Sequence, residues 1–207
     1  MRNTGLEIGR FRVTLANIMS VEYPNLKLIV AAFAALVLFS LPLSAQEADS
    51  SDETALLEAL AQADPTQAKR LDRQLQALWR KSGSASMDLL LKRGRDALEA
   101  SDTDAALEHL TALTDHAPDF AEGWHVRASA YFEAGLFGPA LADLEKALRL
   151  NPNNYNAIIG LGAMFETFGD AARAHEVYLR AQALHPHHEE VNKALERLAP
   201  EVGGTAL

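Results

Sequence analysis

The sequence predicts an all-α chain of stacked helical hairpins, and three observations carry that expectation. Ala121 to Asn154 and Tyr155 to His188 are one pattern written twice, 34 residues apart: Trp124 falls on Ile158, Ala128 on Gly162, Tyr131 on Phe165, Gly135 on Gly169, Ala140 on Ala174, Leu144 on Tyr178, Ala147 on Ala181 and Pro152 on Pro186. A weaker copy, Met87 to Phe120, precedes them in register with Leu90, Gly94, Ala97, Ala106, Leu110, Leu113 and Pro118. On both flanks apolar residues recur three and four places apart, the period of one helix face.

Taken in chain order, residues 1–45 read as a leader outside the fold. Leu28 to Leu41 is an uncharged run of 14 residues, preceded by Lys27 and followed by Pro42 and the small pair Ser44-Ala45. A membrane span needs roughly 20 residues, so the run suits the apolar part of a secretory signal cleaved after Ala45. Met19 offers a second start with a compact leader, and retention of Asn25 to Leu43 would anchor the chain with its repeats outside the cytoplasm. Removal of the leader takes four of 19 basic and two of 28 acidic residues, leaving 15 and 26, a net charge of −11. Gln46 to Asp52 is polar and aperiodic and reads as a linker.

Residues 53–84 then form a helical hairpin. Leu56, Leu57 and Leu60 make a short stripe that stops at Asp64-Pro65, where the aspartate caps and the proline opens the next helix. Ala68, Leu71, Leu75, Leu78 and Trp79 line one side of that helix, and Arg80-Lys81 before Ser82-Gly83-Ser84 end it. The register of the repeats, extended backward, puts Leu60 and Asp72 where small residues belong. The hairpin is therefore expected to cap the first repeat through Leu75, Leu78 and Trp79, the alternative being a detachable arm over the inner face of the array. At the other end, Val191, Leu195 and Leu198 make Glu189 to Ala199 a closing helix, with Pro200 to Leu207 a fraying tail.

Within each repeat the residue types follow from packing two helices. Trp124, Ala128 and Tyr131 share one face and meet Ala140, Leu144 and Ala147 on the opposing helix. A small residue at Ala128 or Gly162 lets the backbones approach, and enlarging either should cost about 1–3 kcal/mol. Gly135 and Gly169 suit a left-handed bend between the helices, and Pro152 and Pro186 stop the second one. Asp102 and Asp104 sit where a second helix begins, and capping explains them without calcium. The first copy departs in three places: Ala97 where an aromatic is usual, Leu113 where a small residue is usual, and Ser101 at the bend.

This pattern of large, small, aromatic and proline places at a 34-residue period resembles the tetratricopeptide repeat (TPR). The resemblance implies a right-handed solenoid with repeats at 87–120, 121–154 and 155–188, an N-terminal capping hairpin and a C-terminal capping helix. It also implies a concave inner wall that grips another protein or peptide. The wall residues it points to are Leu91, Arg95 and Leu98 from the first unit, with Asp88 and Glu99 beside them. From the second unit come His125, Ser129 and Phe132, beside Glu122 and Glu133; from the third come Ile159, Ala163 and Glu166, beside Asn156. Some family members hold a C-terminal carboxylate with lysine and asparagine four residues apart. This chain has Leu91 with Arg95, His125 with Ser129 and Ile159 with Ala163 there, so an apolar peptide or amphipathic helix is the better expectation. The second expectation is a structural subunit that self-associates through Trp79 at one end or Val191 and Leu195 at the other.

The composition excludes other classes. With a formal charge of −9 and no basic cluster, the 207-residue chain is unsuited to nucleic acid or anionic membrane surfaces, so any membrane contact runs through an uncleaved N-terminal segment. The absence of cysteine removes disulfides, thiolate metal sites and thiol nucleophiles. His185, His187 and His188 flank a helix stop, which explains them without a metal, and no set of nucleophile, base and orienting group suggests an enzyme or a cofactor. The expected location is the periplasm, as an adaptor or assembly factor of the cell envelope.

Overall fold

The computed structural model describes residues 44–203, with side chains from residue 52 onward. The apolar run Leu28 to Leu41, the start codons and residues 204–207 lie outside that range. Among the described residues all regular structure is helical: α1 (Ser44–Ala61), α2 (Pro65–Trp79), α3 (Ala85–Glu99), α4 (Thr103–His116), α5 (Ala121–Glu133), α6 (Phe137–Leu150), α7 (Tyr155–Thr167), α8 (Ala171–Leu184) and α9 (Glu189–Gly203). None of these helices is long and apolar enough to cross a membrane.

The three pairs α3–α4, α5–α6 and α7–α8 are the three repeats, and each packs on its neighbours in chain order. The close crossings lie where the small residues fall. A Cβ built on Gly94 would sit 2.5 Å from Leu110 Cγ, and one on Gly162 would sit 2.6 Å from Tyr178 Cε1. The bends are left-handed at Gly135 (φ 72°), Gly169 (φ 74°) and also at Ser101 (φ 57°). Serine at the first bend carries a Cβ in a conformation where glycine has none to clash. Leu113, large where small is usual, is fully buried because Gly123 on the next repeat makes room: a Cβ there would lie 3.1 Å from Leu113 Cδ2.

Caps fall where the sequence placed the first of them, at Asp64. Its Oδ1 accepts from the Thr66 and Gln67 amides at 2.8 and 2.9 Å, with Pro65 opening α2. Asp102, Asn154 and Asp170 cap α4, α7 and α8 in the same way.

The ends of the array differ from expectation in three respects. The backbone of Gln46 to Asp52 belongs to α1 rather than to a linker, and α9 continues through Pro200 to Gly203. The third difference matters most: the α1–α2 hairpin does not stack on the first repeat. Leu57, Leu60, Leu71, Leu75 and Trp79 are buried together with Tyr155 of the third repeat, and Ile159 and Leu184 pack against that cluster. The pair also lacks a small residue at its own crossing, where Leu60 and Asp72 stand in the repeat register. The five-residue turn 80–84, left-handed at Gly83 (φ 81°), turns the chain back along the array. The faces assigned to self-association are consequently internal: Trp79 is buried against Tyr155, while Val191 and Leu195 close the core over Ile158 and Tyr178.

Candidate functional site

The first helices of the repeats, α3, α5 and α7, supply the inner wall, which has two unlike halves. At the N-terminal end of α7 the wall is covered by the hairpin. Tyr155, the first residue of α7, meets Trp79 edge-on with ring centroids 5.0 Å apart, and its hydroxyl donates to Asp72 Oδ1 at 2.5 Å. Burial and the Asp72 carboxylate both push the Tyr155 pKa up, so the phenol keeps its proton and remains a donor. Glu53 Oε1 accepts from Trp79 Nε1 at 2.8 Å and from Asn151 Nδ2 at 2.9 Å, tying α1 to the turn before α7. His187 Nε2 lies 2.9 Å from the Ala63 carbonyl oxygen.

Beneath the covered half lies a polar centre that joins the first two repeats and the residue that caps α7. Glu122, 4% exposed, accepts from Arg95 Nη1 at 3.1 Å and from Asn154 Nδ2 at 3.3 Å, and pairs with His125 Nδ1 at 3.2 Å. Burial raises the Glu122 pKa, but His125, Arg95 and Asn154 outweigh it and hold the carboxyl below its usual range. Arg95 and His125 are therefore committed to Glu122 and are not the free polar contacts that the sequence suggests. Glu122 itself was placed only beside the wall residues. Its sequence signal was its unit position two places into the repeat, which says that it faces inward but not that it is the hub.

Of the other residues assigned to the wall, Leu91 is 2% exposed and belongs to the core of the first repeat, because Val126 and Ala130 of α5 close over it. Leu98 is half-buried on the same cluster, and Ile159 is half-buried under the hairpin. Glu166 accepts from the Tyr178 hydroxyl at 2.8 Å and pairs with Arg197 of α9, which holds its carboxyl below the usual range despite partial burial. What remains open is the C-terminal half of the wall. There Ala128, Ser129, Phe132 and Glu133 of α5 and Gly160 and Ala163 of α7 line a depression of about 140 Å³ floored by Leu144. Phe132 stands on its rim in edge contact with Phe137 at 5.5 Å, which in turn meets the exposed Phe168 at 5.9 Å.

The histidines after α8 are part of the hairpin seam. His185 packs edge-on to Tyr155 and to His188, at 5.3 and 5.2 Å, and its Nδ1 is buried without a hydrogen-bond partner. Among the described residues no three His, Asp or Glu side chains are grouped to hold a metal ion.

Paired helices stacked at a fixed period around an inner wall define a solenoid scaffold. Residues 121–154, the second repeat, match the family model for the tetratricopeptide repeat. A TPR repeat-containing protein of Rhizobium etli is 29% identical over 140 residues, covering 66% of this chain and 69% of that protein. The human Protein SGT1 homolog is 34% identical over 103 residues, but these span only 28% of its length. In structure, the first TPR of Spaghetti (RPAP3), solved with the HSP90 peptide SRMEEVD, matches 58% of this chain and 98% of its own, at 25% identity and a TM-score of 0.56. The second repeat is a tetratricopeptide repeat, and the described residues have the fold of an all-α TPR solenoid.

Proposed function

We propose that this protein is a protein–protein interaction module that holds a peptide or amphipathic helix against the open half of its inner wall. The observation that carries the reading is the depression between α5 and α7, with an apolar floor, an aromatic rim at Phe132 and one carboxylate at Glu133. A single large apolar side chain fits such a space, and a basic neighbour in the ligand would face Glu133. The RPAP3 repeats bound to a peptide support peptide binding as the use of such an array. The acidic character of that peptide does not carry over. Here Arg95 is paired with Glu122, and the carboxylate at the open depression is Glu133.

Selection of a random peptide library against the protein tests the reading. Enriched sequences should share one large apolar residue with a nearby lysine or arginine. Ala163→Arg should abolish their binding, and Phe132→Ala should weaken it by at least tenfold. Retention of binding by Ala163→Arg with intact helicity would remove the open wall from consideration.

We further place the protein in the cell envelope, as an adaptor or assembly factor. The support is the uncharged run Leu28 to Leu41 between Lys27 and Ser44-Ala45. N-terminal sequencing of protein from fractionated cells checks this: a chain beginning at Gln46 in the periplasm is expected, and an intact Met1 or Met19 in soluble cytoplasm would refute it.

A further inference from the structure

We propose that the covered half of the inner wall is a second binding site, filled within the chain by α2, and that the external partner it fits is an amphipathic helix. That helix would carry leucine, leucine and an aromatic residue at four-residue spacing, with a carboxylate beside the first leucine. The resident helix shows this chemistry directly. Leu71, Leu75 and Trp79 form the stripe against Tyr155, Ile159 and Leu184, and Asp72 accepts from the Tyr155 hydroxyl.

Three features make α2 an occupant rather than a fixed part of the stack. Its apolar contact with the repeats is confined to the central seam, because open crevices flank it on both sides. One, of about 470 Å³, lies between Glu53, Leu78, Trp79 and the turns at 119–122 and 150–154; the other, of about 360 Å³, lies between Pro65, Lys69, Asp72 and His185–Asn192. A water needs about 30 Å³, so both crevices admit several, and the docked helix is wetted along its edges. Polar contacts that tie the hairpin to the repeats include Asp72 to Tyr155, Glu53 to Asn151 and the Ala63 carbonyl to His187, each of which water can replace. The tether, residues 80–84 with Gly83 left-handed, is the covalent link between the hairpin and α3. Elements whose edges are wetted and whose polar ties are only partly buried open more easily than the centre of a stack. A partner helix that offers the same stripe would meet a preformed wall as the hairpin leaves.

This site is separate from the depression at Phe132 and Ala163, and both residues stay unchanged in the experiment. The full chain is titrated into a fluorescein-labelled peptide of residues 65–79, with anisotropy as readout. Leu71→Ala with Trp79→Ala strips the stripe from the resident helix and leaves the wall intact. This variant should bind the peptide at least tenfold more tightly than the natural chain. Adding Tyr155→Ala should erase the gain, and a peptide with Asp72→Asn should bind severalfold more weakly. A milder variant of near-identical shape, Glu53→Gln with Asp72→Asn, should show an intermediate gain, so misfolding of the first variant does not shield the proposal. Equal affinity across the natural chain and both variants would overturn it, as would a gain that survives Tyr155→Ala. Light scattering on the same samples adds a third arm: a dimer of the natural chain that the stripe variant converts to monomer would assign the seat to the hairpin of a second copy and overturn docking within one chain.

Discussion

The α1–α2 hairpin and the α5–α6 repeat are both antiparallel helix pairs with one apolar face, yet they bury that face in opposite ways. The repeat has Ala128 at its crossing, so its helices nest closely and present regular surfaces to the pairs on either side. The hairpin has Leu60 and Asp72 at the equivalent places. It lies across the N-terminal end of α7 and holds on through Trp79, Tyr155 and polar ties. A small residue at the crossing lets the two helices of one pair approach closely, and the hairpin, without one, buries its stripe against another part of the array.

The largest expected effect sharpens this contrast from the side of the stack. Arg127 forks onto Asp143 with bonds of 2.7 and 2.9 Å, reaches Thr114 at 2.6 Å and lies over the Trp124 ring at 4.7 Å. Asp143→Ala leaves that guanidinium without its partner in a largely buried setting and should cost about 3–5 kcal/mol. The urea midpoint of the whole array should fall accordingly, whereas Asp72→Asn in the seam should leave it nearly unchanged.

A smaller effect probes the seam through pH. Burial pushes the His185 pKa down, and His188 pushes it the same way against a lesser pull from Asp72. Its folded pKa therefore lies below the unfolded value of about 6.5, so the unfolded chain binds the proton more readily. Stability should be full above that pH and decline as the pH falls below it. The urea midpoint is expected to be lower at pH 5 than at pH 7.5, and the difference should shrink in His185→Phe. An unchanged difference would break the assignment of His185 to the seam.

The smallest effect distinguishes the first bend from the other two. Ser101 adopts φ 57°, where glycine stands at Gly135 and Gly169. Ser101→Gly should raise stability by about 0.5–1 kcal/mol, and Gly135→Ala should lower it by about 1 kcal/mol, both read from thermal melts.

The helix pairs of the repeats, their phase, the left-handed glycine bends and the Asp64 cap are legible in the order of residues alone. Each of these depends on contacts between residues a few places apart or one repeat apart, so the spacing records the contact. Packing across the folded chain is what makes Glu122 gather Arg95, His125 and Asn154, lets Gly123 make room for Leu113, and sinks Leu91 into the core. It also decided the place of the hairpin, whose ties join Asp72 to Tyr155 and Ala63 to His187. An apolar stripe states that a face must leave water, because that follows from composition and period alone. Which surface receives it depends on the shape of a wall assembled from distant parts of the chain, and no local spacing encodes that shape.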